Sequence, residues 1–156
     1  MLKRKKIAIL GKLNTKLKAP FDDKSWEIWS MNLHKDEPLL LRVDKWFDIH
    51  IKPEKLDADI LRHQFPFEEC EKLVGGKYFK CTPAYLIAYA ILQKATDIAL
   101  YGMKFQADHE RRRDELHNVQ NMIWFAKGRG INVIAPYDKL ELMPEHIPEI
   151  NKDFDQ

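Results

Sequence analysis

Short, nearly continuous apolar runs that stop at glycine or proline constrain the fold of this chain most. Three such runs, Lys6–Leu10, Asp97–Tyr101 and Ile131–Ala135, stop at Gly11, Gly102 and Pro136. Strands that are apolar on both faces are typical of a parallel sheet with both sides covered. We therefore expect these runs to be parallel strands that are covered on both faces.

Two further runs, Trp26–Met31 and Lys45–Ile49, alternate apolar and polar residues. This pattern predicts strands that lie nearer the edge of the sheet, which brings the expected number to about five. Trp26 and Trp29 are three residues apart, so their side chains should point to opposite faces.

Two strong helical patterns separate the later strands. Thr82 and Pro83 open an apolar stretch that reaches Lys94, with Thr82 as a candidate cap, and the second helix is expected over 110–127. Weaker helical pieces are expected at Leu56–His63 and Phe67–Leu73. Strands that alternate with helices predict the α/β class, here a Rossmann-like three-layer sandwich with a mainly parallel sheet and helices on both faces. We expect one domain over 1–156, with a core at 6–136 and an extension at 137–156.

Composition excludes several classes of protein. The 26 basic and 24 acidic residues leave a formal net charge of +2, so no basic field of the kind that binds nucleic acid is expected. No signal peptide or membrane span is evident, and the two cysteines are far apart. Reduced thiols, no metal site and a cytoplasmic location are therefore expected.

Polar residues that follow the strands are the candidates for a ligand site, because open α/β sheets bind ligands beyond the carboxyl ends of their strands. The candidate ligand-binding residues are Gly11, Asn14, Thr15, Asn32, Thr82 and Gly102. His50 and His117 are the candidate proton carriers. The single glycine of the first loop matches neither a dinucleotide fingerprint nor a Walker loop, which disfavours a dehydrogenase.

Structural interpretations remain open beside these functional ones. Asn14 and Thr15 are also common turn residues, and Thr82 is also a helix cap whose helix start would attract phosphate. His50 is as easily a structural histidine as a catalytic one, and His117 borders a charged run at 110–115 that resembles a solvated helix face.

The chain resembles a group of small Rossmann-like proteins common in bacteriophage genomes, most of which have no assigned activity. The shared segments run over residues 6–136 and are Ala19–Asp23, Ser25–Trp29, Asn32, Arg42–His50, Tyr78–Thr82, Ile98–Met103 and Gly128–Ile131. A phage-encoded member would work in the cytoplasm of its host.

The same layout is similar, more distantly, to the bacterial sialyltransferases that use a CMP-sugar donor. Asn32 falls where that family has a nucleotide-binding asparagine, Thr82 matches one residue of its donor-binding Thr-Ser pair, and His117 is the nearest candidate for its catalytic histidine. The first loop, Gly11–Thr15, lacks the second glycine and the proline of the family's Gly-Asn-Gly-Pro-Ser loop.

We therefore expect a protein that binds a nucleotide or a nucleotide-derived ligand, with Asn14, Thr15 and Asn32 at base and ribose and the Thr82 helix start at phosphate. An enzyme on this site would be a transferase or would cleave a phosphodiester. The alternative is a non-catalytic protein that sequesters a nucleotide signal or blocks a host protein. Homo-oligomers are also expected, because five aromatic residues look exposed: Trp46, Phe65, Phe67, Tyr78 and Phe79.

Overall fold

Six parallel strands form one sheet in the computed structural model, which describes residues 3–34, 37–103 and 110–135. The strands are β1 (Lys6–Leu10), β2 (Trp26–Met31), β3 (Lys45–Asp48), β4 (Ile60–Leu61), β5 (Asp97–Tyr101) and β6 (Asn132–Ile134). Their order across the sheet is β4-β3-β2-β1-β5-β6. The expected Rossmann-like α/β class is confirmed, with one strand more than predicted.

The centre of the sheet is β1, which pairs with β2 on one side and with β5 on the other. Ala8 lies opposite Ile28 in β2 and opposite Ala99 in β5. Of the two strands predicted nearer the edge, β3 lies beside the edge strand β4, whereas β2 lies inside the sheet, and β6 is the other edge strand. The polar residues that suggested an edge, Ser30 and Asp48, are buried and hydrogen-bonded instead of facing solvent.

Three α-helices lie between the later strands of the described chain: α1 (Phe67–Val74), α2 (Thr82–Leu92) and α3 (Glu110–Gly128). All three confirm predicted helices. The helix predicted at Leu56–His63 is wrong, because that segment holds β4 and the start of a 3-10 turn, Arg62–Gln64. Ile60 and Leu61 pair with the end of β3, so tertiary pairing decided the conformation of a segment with weak local preference.

The layers on the two faces of the sheet differ. Side chains of all three α-helices, among them Cys70, Ile87 and Val119, pack with Trp29 on one face. The opposite face is covered by the segment after β1, through Ala19, Phe21 and a 3-10 helix over Asn14–Lys18. Among the described residues the three α-helices thus share one face, and 3-10 and irregular segments cover the other.

The handedness of crossovers explains this asymmetry. The chain steps in one direction from β1 to β4 and in the other direction through β5 to β6, so right-handed connections place the two groups on opposite faces. Trp26 and Trp29 lie on opposite faces, as predicted. No helix in the described ranges is long and apolar enough to cross a membrane.

The aromatic residues expected at the surface belong to the core. Trp46 and Phe65 are 8% and 5% exposed, while Phe67, Tyr78 and Phe79 are half-buried and pack against the main cluster. The observation behind the expected self-association is therefore wrong, and self-association itself stays a prediction. The predicted extension at 137–156 lies outside the described residues.

Candidate functional site

The strand order reverses between β1 and β5, and the loops that leave these two strands are joined by hydrogen bonds. The N–H of Gly11 donates to the Tyr101 carbonyl at 2.7 Å, and the N–H of Leu13 donates to the Gly102 carbonyl at 3.1 Å. A Cβ on Gly11 would overlap the Gly102 carbonyl, so glycine is required for this close approach. The joined loops form the floor of the edge where such sheets bind ligands.

A cleft of about 680 Å³ opens above this floor. Its lining includes five residues predicted from the sequence, which are Gly11, Asn32, His50, Thr82 and Gly102. They come together because the carboxyl ends of parallel strands meet at one edge of the sheet. The volume suits a ligand of the size of a nucleotide or a small cofactor.

Three other candidates do not line this cleft. Asn14 is exposed at the start of its 3-10 helix, and the Thr15 hydroxyl accepts the N–H of Gly102 at 3.1 Å. His117 is exposed on α3. The structure therefore gives Thr15 a role in the loop contact and leaves Asn14 and His117 apart from the other candidates.

Asn32 directly follows β2 and has the left-handed φ of +61°. Its N–H donates to the Phe47 carbonyl and its own carbonyl accepts the indole N–H of Trp46, both at 2.7 Å. Its side-chain Oδ1 is buried and has no hydrogen-bond partner among the described residues. Because buried acceptors are nearly always paired in native proteins, this atom is suited to a donor from a ligand or water.

The start of α2 also lies in the cleft, through Cys81, Thr82 and Pro83. The prediction that Thr82 caps this helix is wrong, because Thr82 is the first helical residue and Cys81, the capping residue, makes no side-chain cap hydrogen bond. The helix starts one residue earlier than expected, and Pro83 still fits the first turn. A helix start without a polar cap presents partial positive charge, which favours an anionic group.

The residue that orients His50 was missed in the sequence. Asp48, the last residue of β3, is fully buried, and its Oδ1 lies 2.9 Å from His50 Nδ1. The backbone N–H groups of Glu54 and Lys55 donate to its Oδ2, each at 2.9 Å. The His50 side chain is 50% exposed and lines the cleft. An Asp-x-His pattern that ends a strand is the signal that could have found this pair.

Positive charge in the cleft comes from residues that were not among the candidates predicted from the sequence. Lys12, Arg62 and Lys80 line it, against one acidic residue of the described lining, Glu115. The Arg62 guanidinium donates to the Ile49 carbonyl at 3.0 Å and lies 4.8 Å from the Phe67 ring. This excess of cations favours an anionic ligand.

The segment that carries Lys80 is held by a buried side chain of α3. Asn118 accepts the Lys80 N–H through Oδ1 at 2.8 Å and donates through Nδ2 to the Tyr78 carbonyl at 3.1 Å. Burial raises the pKa of the neighbouring Cys81 thiol to about 12, so that thiol is neutral at physiological pH. Asn118 thus orders one wall of the cleft.

Besides the cleft, the described residues form a second hollow but no metal-binding cluster. A smaller hollow of about 430 Å³ lies beside the end of α1, but residues 68–77 line it and no strand end reaches it. Within residues 3–34, 37–103 and 110–135, no group of three or more His, Cys, Asp or Glu side chains is arranged to hold a metal ion.

Comparisons with known proteins match this architecture at the level of fold. No family model and no curated protein matches the chain. The sialyltransferase CST-II in complex with a trisaccharide acceptor and CMP is 12% identical and has a TM-score of 0.50, with 90% of this chain and 82% of that chain covered. An asparagine-to-alanine variant of CST-II in complex with CMP is also 12% identical with a TM-score of 0.50, and covers 87% and 84%.

A third solved structure is CstII from Campylobacter jejuni with the substrate analogue CMP-3FNeuAc, which is 14% identical with a TM-score of 0.49 and covers 89% and 80%. The fold and the cleft thus define a Rossmann-like α/β protein, and the distant similarity to sialyltransferases is confirmed as a likeness of fold. The resemblance to the bacteriophage group stays a prediction.

Proposed function

We propose that this chain binds a nucleotide or a nucleotide-derived ligand in the cleft at the carboxyl ends of β1, β2, β3 and β5. The observation that carries the proposal is the buried, unpartnered Oδ1 of Asn32 in a residue that lines the cleft. An exocyclic amino group of a base, or a ribose hydroxyl, would donate to this atom and satisfy it.

The charge around the cleft supports a phosphate on the ligand. Lys12, Lys80 and the uncapped start of α2 line the same cleft, and both kinds of group attract phosphate oxygens. The sialyltransferase CST-II, which shares the fold, is known in complex with CMP. A nucleoside monophosphate, alone or as part of a nucleotide sugar, therefore fits the proposal.

Group transfer from such a ligand is the activity that the cleft supports best. His50 lines the cleft and is held by Asp48, whereas His117 is exposed outside its lining. His50 is thus the proton carrier of the proposed reaction. The competing function, sequestration of a nucleotide without turnover, would need the same binding residues but no histidine of fixed orientation.

Calorimetric titration with a panel of ligands tests the binding step. CMP, UMP, AMP and GMP are compared with the four matching nucleosides, and at least one monophosphate should bind more tightly than its nucleoside. Lys80→Ala should lower the affinity for that monophosphate and leave the affinity for the nucleoside unchanged. The charge-matched control Lys18→Ala removes an exposed lysine outside the cleft lining and should change neither affinity. Absence of binding by all four monophosphates at millimolar concentration would reject the proposal.

Turnover is tested separately, by phosphorus NMR on a nucleotide sugar incubated with the protein. Release of free nucleotide by wild type but not by His50→Gln supports group transfer. A nucleotide sugar that binds and stays intact supports sequestration instead.

A further inference from the structure

The carboxylate of Asp48 organises the polar end of β3. Its side chain is fully buried, and an ionised carboxylate is tolerated there only when donors surround it. Its Oδ1 faces the Nδ1 atom and the backbone N–H of His50, at 2.9 and 3.3 Å. Its Oδ2 accepts the N–H groups of Glu54 and Lys55. One buried group thus holds both the imidazole ring and the loop that follows it.

This arrangement determines the protonation of the His50 ring. An ionised carboxylate can only accept hydrogen bonds, so Nδ1 must carry the proton that lies between the two groups. In the neutral ring Nε2 is then unprotonated and is a hydrogen-bond acceptor. A histidine side chain in water prefers the opposite tautomer, with the proton on Nε2, so the tautomer expected beside Asp48 differs from that of an unconstrained ring.

We propose that Asp48 is a positioning residue, which holds His50 in the Nδ1–H tautomer so that the unprotonated Nε2 serves as a proton acceptor in the cleft. The class of group that it would meet is a hydroxyl, of the ligand itself or of an acceptor molecule. The assignment of this nitrogen to the ligand rests on the proposed function, whereas the tautomer does not.

In a group-transfer reaction the consequence is specific. The acceptor oxygen gives its proton to Nε2 and forms the new bond to the transferred group. The bond between that group and the nucleotide phosphate breaks, and its electron pair leaves with the phosphate. The imidazolium that results faces the Asp48 carboxylate at 2.9 Å, which stabilises the charge as it forms.

Strand β3 also contacts Asn32, the predicted nucleotide-binding residue. The Lys55 ammonium, in the loop that Asp48 holds, lies 4.3 Å from the Trp46 ring, and the indole of Trp46 donates to the Asn32 carbonyl. His50 and Asn32, which follow β3 and β2, are therefore each held by a side chain of β3, Asp48 and Trp46 respectively. Strand β3 thus contacts both the proposed proton acceptor and the predicted nucleotide contact.

Nitrogen NMR of protein labelled with 15N-histidine tests the tautomer directly. At a pH where the rings are neutral, long-range correlations should show His50 with the proton on Nδ1 and an unprotonated Nε2. His63 is exposed and should keep the Nε2–H tautomer of an unconstrained histidine side chain, which makes it the internal control. A His50 ring with the proton on Nε2 would overturn the proposal.

Two variants then assign the cause. In Asp48→Asn the single acceptor oxygen should face the N–H groups of Glu54 and Lys55, so the amide NH2 faces His50 Nδ1 and favours the tautomer with the proton on Nε2. His50→Gln removes the Nδ1–H donor of the buried Asp48 carboxylate, so the melting temperature should fall. If Asp48→Asn does not fold, the tautomer of the wild type still decides the proposal.

Titration with CMP separates this inference from the proposed function. CMP that binds by calorimetry and shifts the Nε2 resonance of His50, but not that of His63, supports both. If CMP binds but does not shift the Nε2 resonance of His50, the role of His50 at the ligand is rejected. If CMP and the other monophosphates do not bind, the proposed function fails, and the tautomer still shows whether Asp48 positions the ring.

Discussion

The indole N–H of Trp46 donates a hydrogen bond of 2.7 Å to the backbone carbonyl of Asn32. The N–H of Asn32 in turn donates to the carbonyl of Phe47, the residue after Trp46 in β3. Both backbone groups of Asn32 are thus used by the neighbouring strand, which holds this residue at φ +61°. Its side-chain oxygen is buried and left without a partner among the described residues.

Replacement of Trp46 by phenylalanine should destabilise the fold through this carbonyl. The ring is largely kept, but the carbonyl of Asn32 loses its donor, which costs about 1–3 kcal/mol when the acceptor stays buried. Urea unfolding measures the loss. Trp124→Phe, on the exposed side of α3, is the matched control and should change the free energy of unfolding by less than about 0.5 kcal/mol. Equal losses in the two variants would contradict this interpretation.

Asn32 itself allows binding to be separated from folding. Asn32→Gly suits the positive φ and should keep the stability of the wild type, while nucleotide affinity falls roughly tenfold to more than a hundredfold, about 1–3 kcal/mol. Asn32→Ala should lose the same affinity and also about 1 kcal/mol of stability, because alanine is strained at this φ. Calorimetry and thermal unfolding measure the two effects, with Asn14→Ala as the control outside the cleft. An Asn32→Gly variant that binds normally would show that the amide is not a ligand contact.

The interior strands could be predicted from sequence because their side chains meet apolar neighbours on both faces. Lys6–Leu10 and Asp97–Tyr101 have this property and appear with the predicted bounds. The two-residue strand Ile60–Leu61 could not be predicted, since its conformation depends on pairing with Phe47 and Asp48 and not on a local pattern. The polar residues of β2 and β3 misled the assignment of edges, because an alternating pattern does not show that Ser30 and Asp48 are buried and hydrogen-bonded.

The candidate site was predictable where it depends on topology alone. Gly11, Asn32 and Gly102 follow strands, and strand ends converge in any parallel sheet. Arg62 was missed because it follows β4, which the sequence pattern did not predict. Lys80 was missed because it lies on a connection whose path depends on contacts such as that of Asn118 with its N–H. Asp48 was missed because its role depends on its burial, which a sequence pattern does not show.

The contact between the loops that follow β1 and β5 predicts that Gly102→Ala strongly lowers the stability of the fold. The residue has φ +71°, and an added Cβ would lie 2.9 Å from the Leu13 carbonyl oxygen. Strain at positive φ alone costs about 1–2 kcal/mol, and the overlap adds to it, so the melting temperature should fall clearly. Gly128→Ala at the end of α3 meets no atom within 4 Å and should be neutral or slightly stabilising. A tolerated Gly102→Ala would mean that the loops can separate.

Stability should depend on pH through Asp97, at the start of β5. Burial raises the pKa of this carboxyl, but hydrogen bonds from Thr96 and Asn132 and the Arg4 guanidinium outweigh it and hold the pKa below its ordinary value of 3.8. A group whose pKa is lowered by folding stabilises the fold above about pH 4, and this contribution is lost as the pH falls through the folded-state pKa.

The stability lost in Asp97→Asn should therefore be largest near pH 7 and should shrink below about pH 4. Urea unfolding of wild type and variant across this range measures it. Asp22→Asn changes an exposed carboxylate and should alter the stability at pH 7 by less than about 0.5 kcal/mol. A loss in Asp97→Asn that is the same at pH 7 and pH 3 would contradict the assignment.

The thiol of Cys81 lies in the lining of the cleft but should not act as a nucleophile. Burial raises its pKa to about 12, so at pH 8 only about one molecule in ten thousand carries the thiolate. Alkylation of the folded protein by iodoacetamide should therefore be about a thousandfold slower than that of the urea-unfolded chain at the same pH. The rate should rise with pH, because the thiolate population grows tenfold per pH unit below the pKa. Alkylation of folded Cys81 at the rate of the unfolded chain would show a stabilised thiolate and would move the candidate chemistry from His50 to this sulfur.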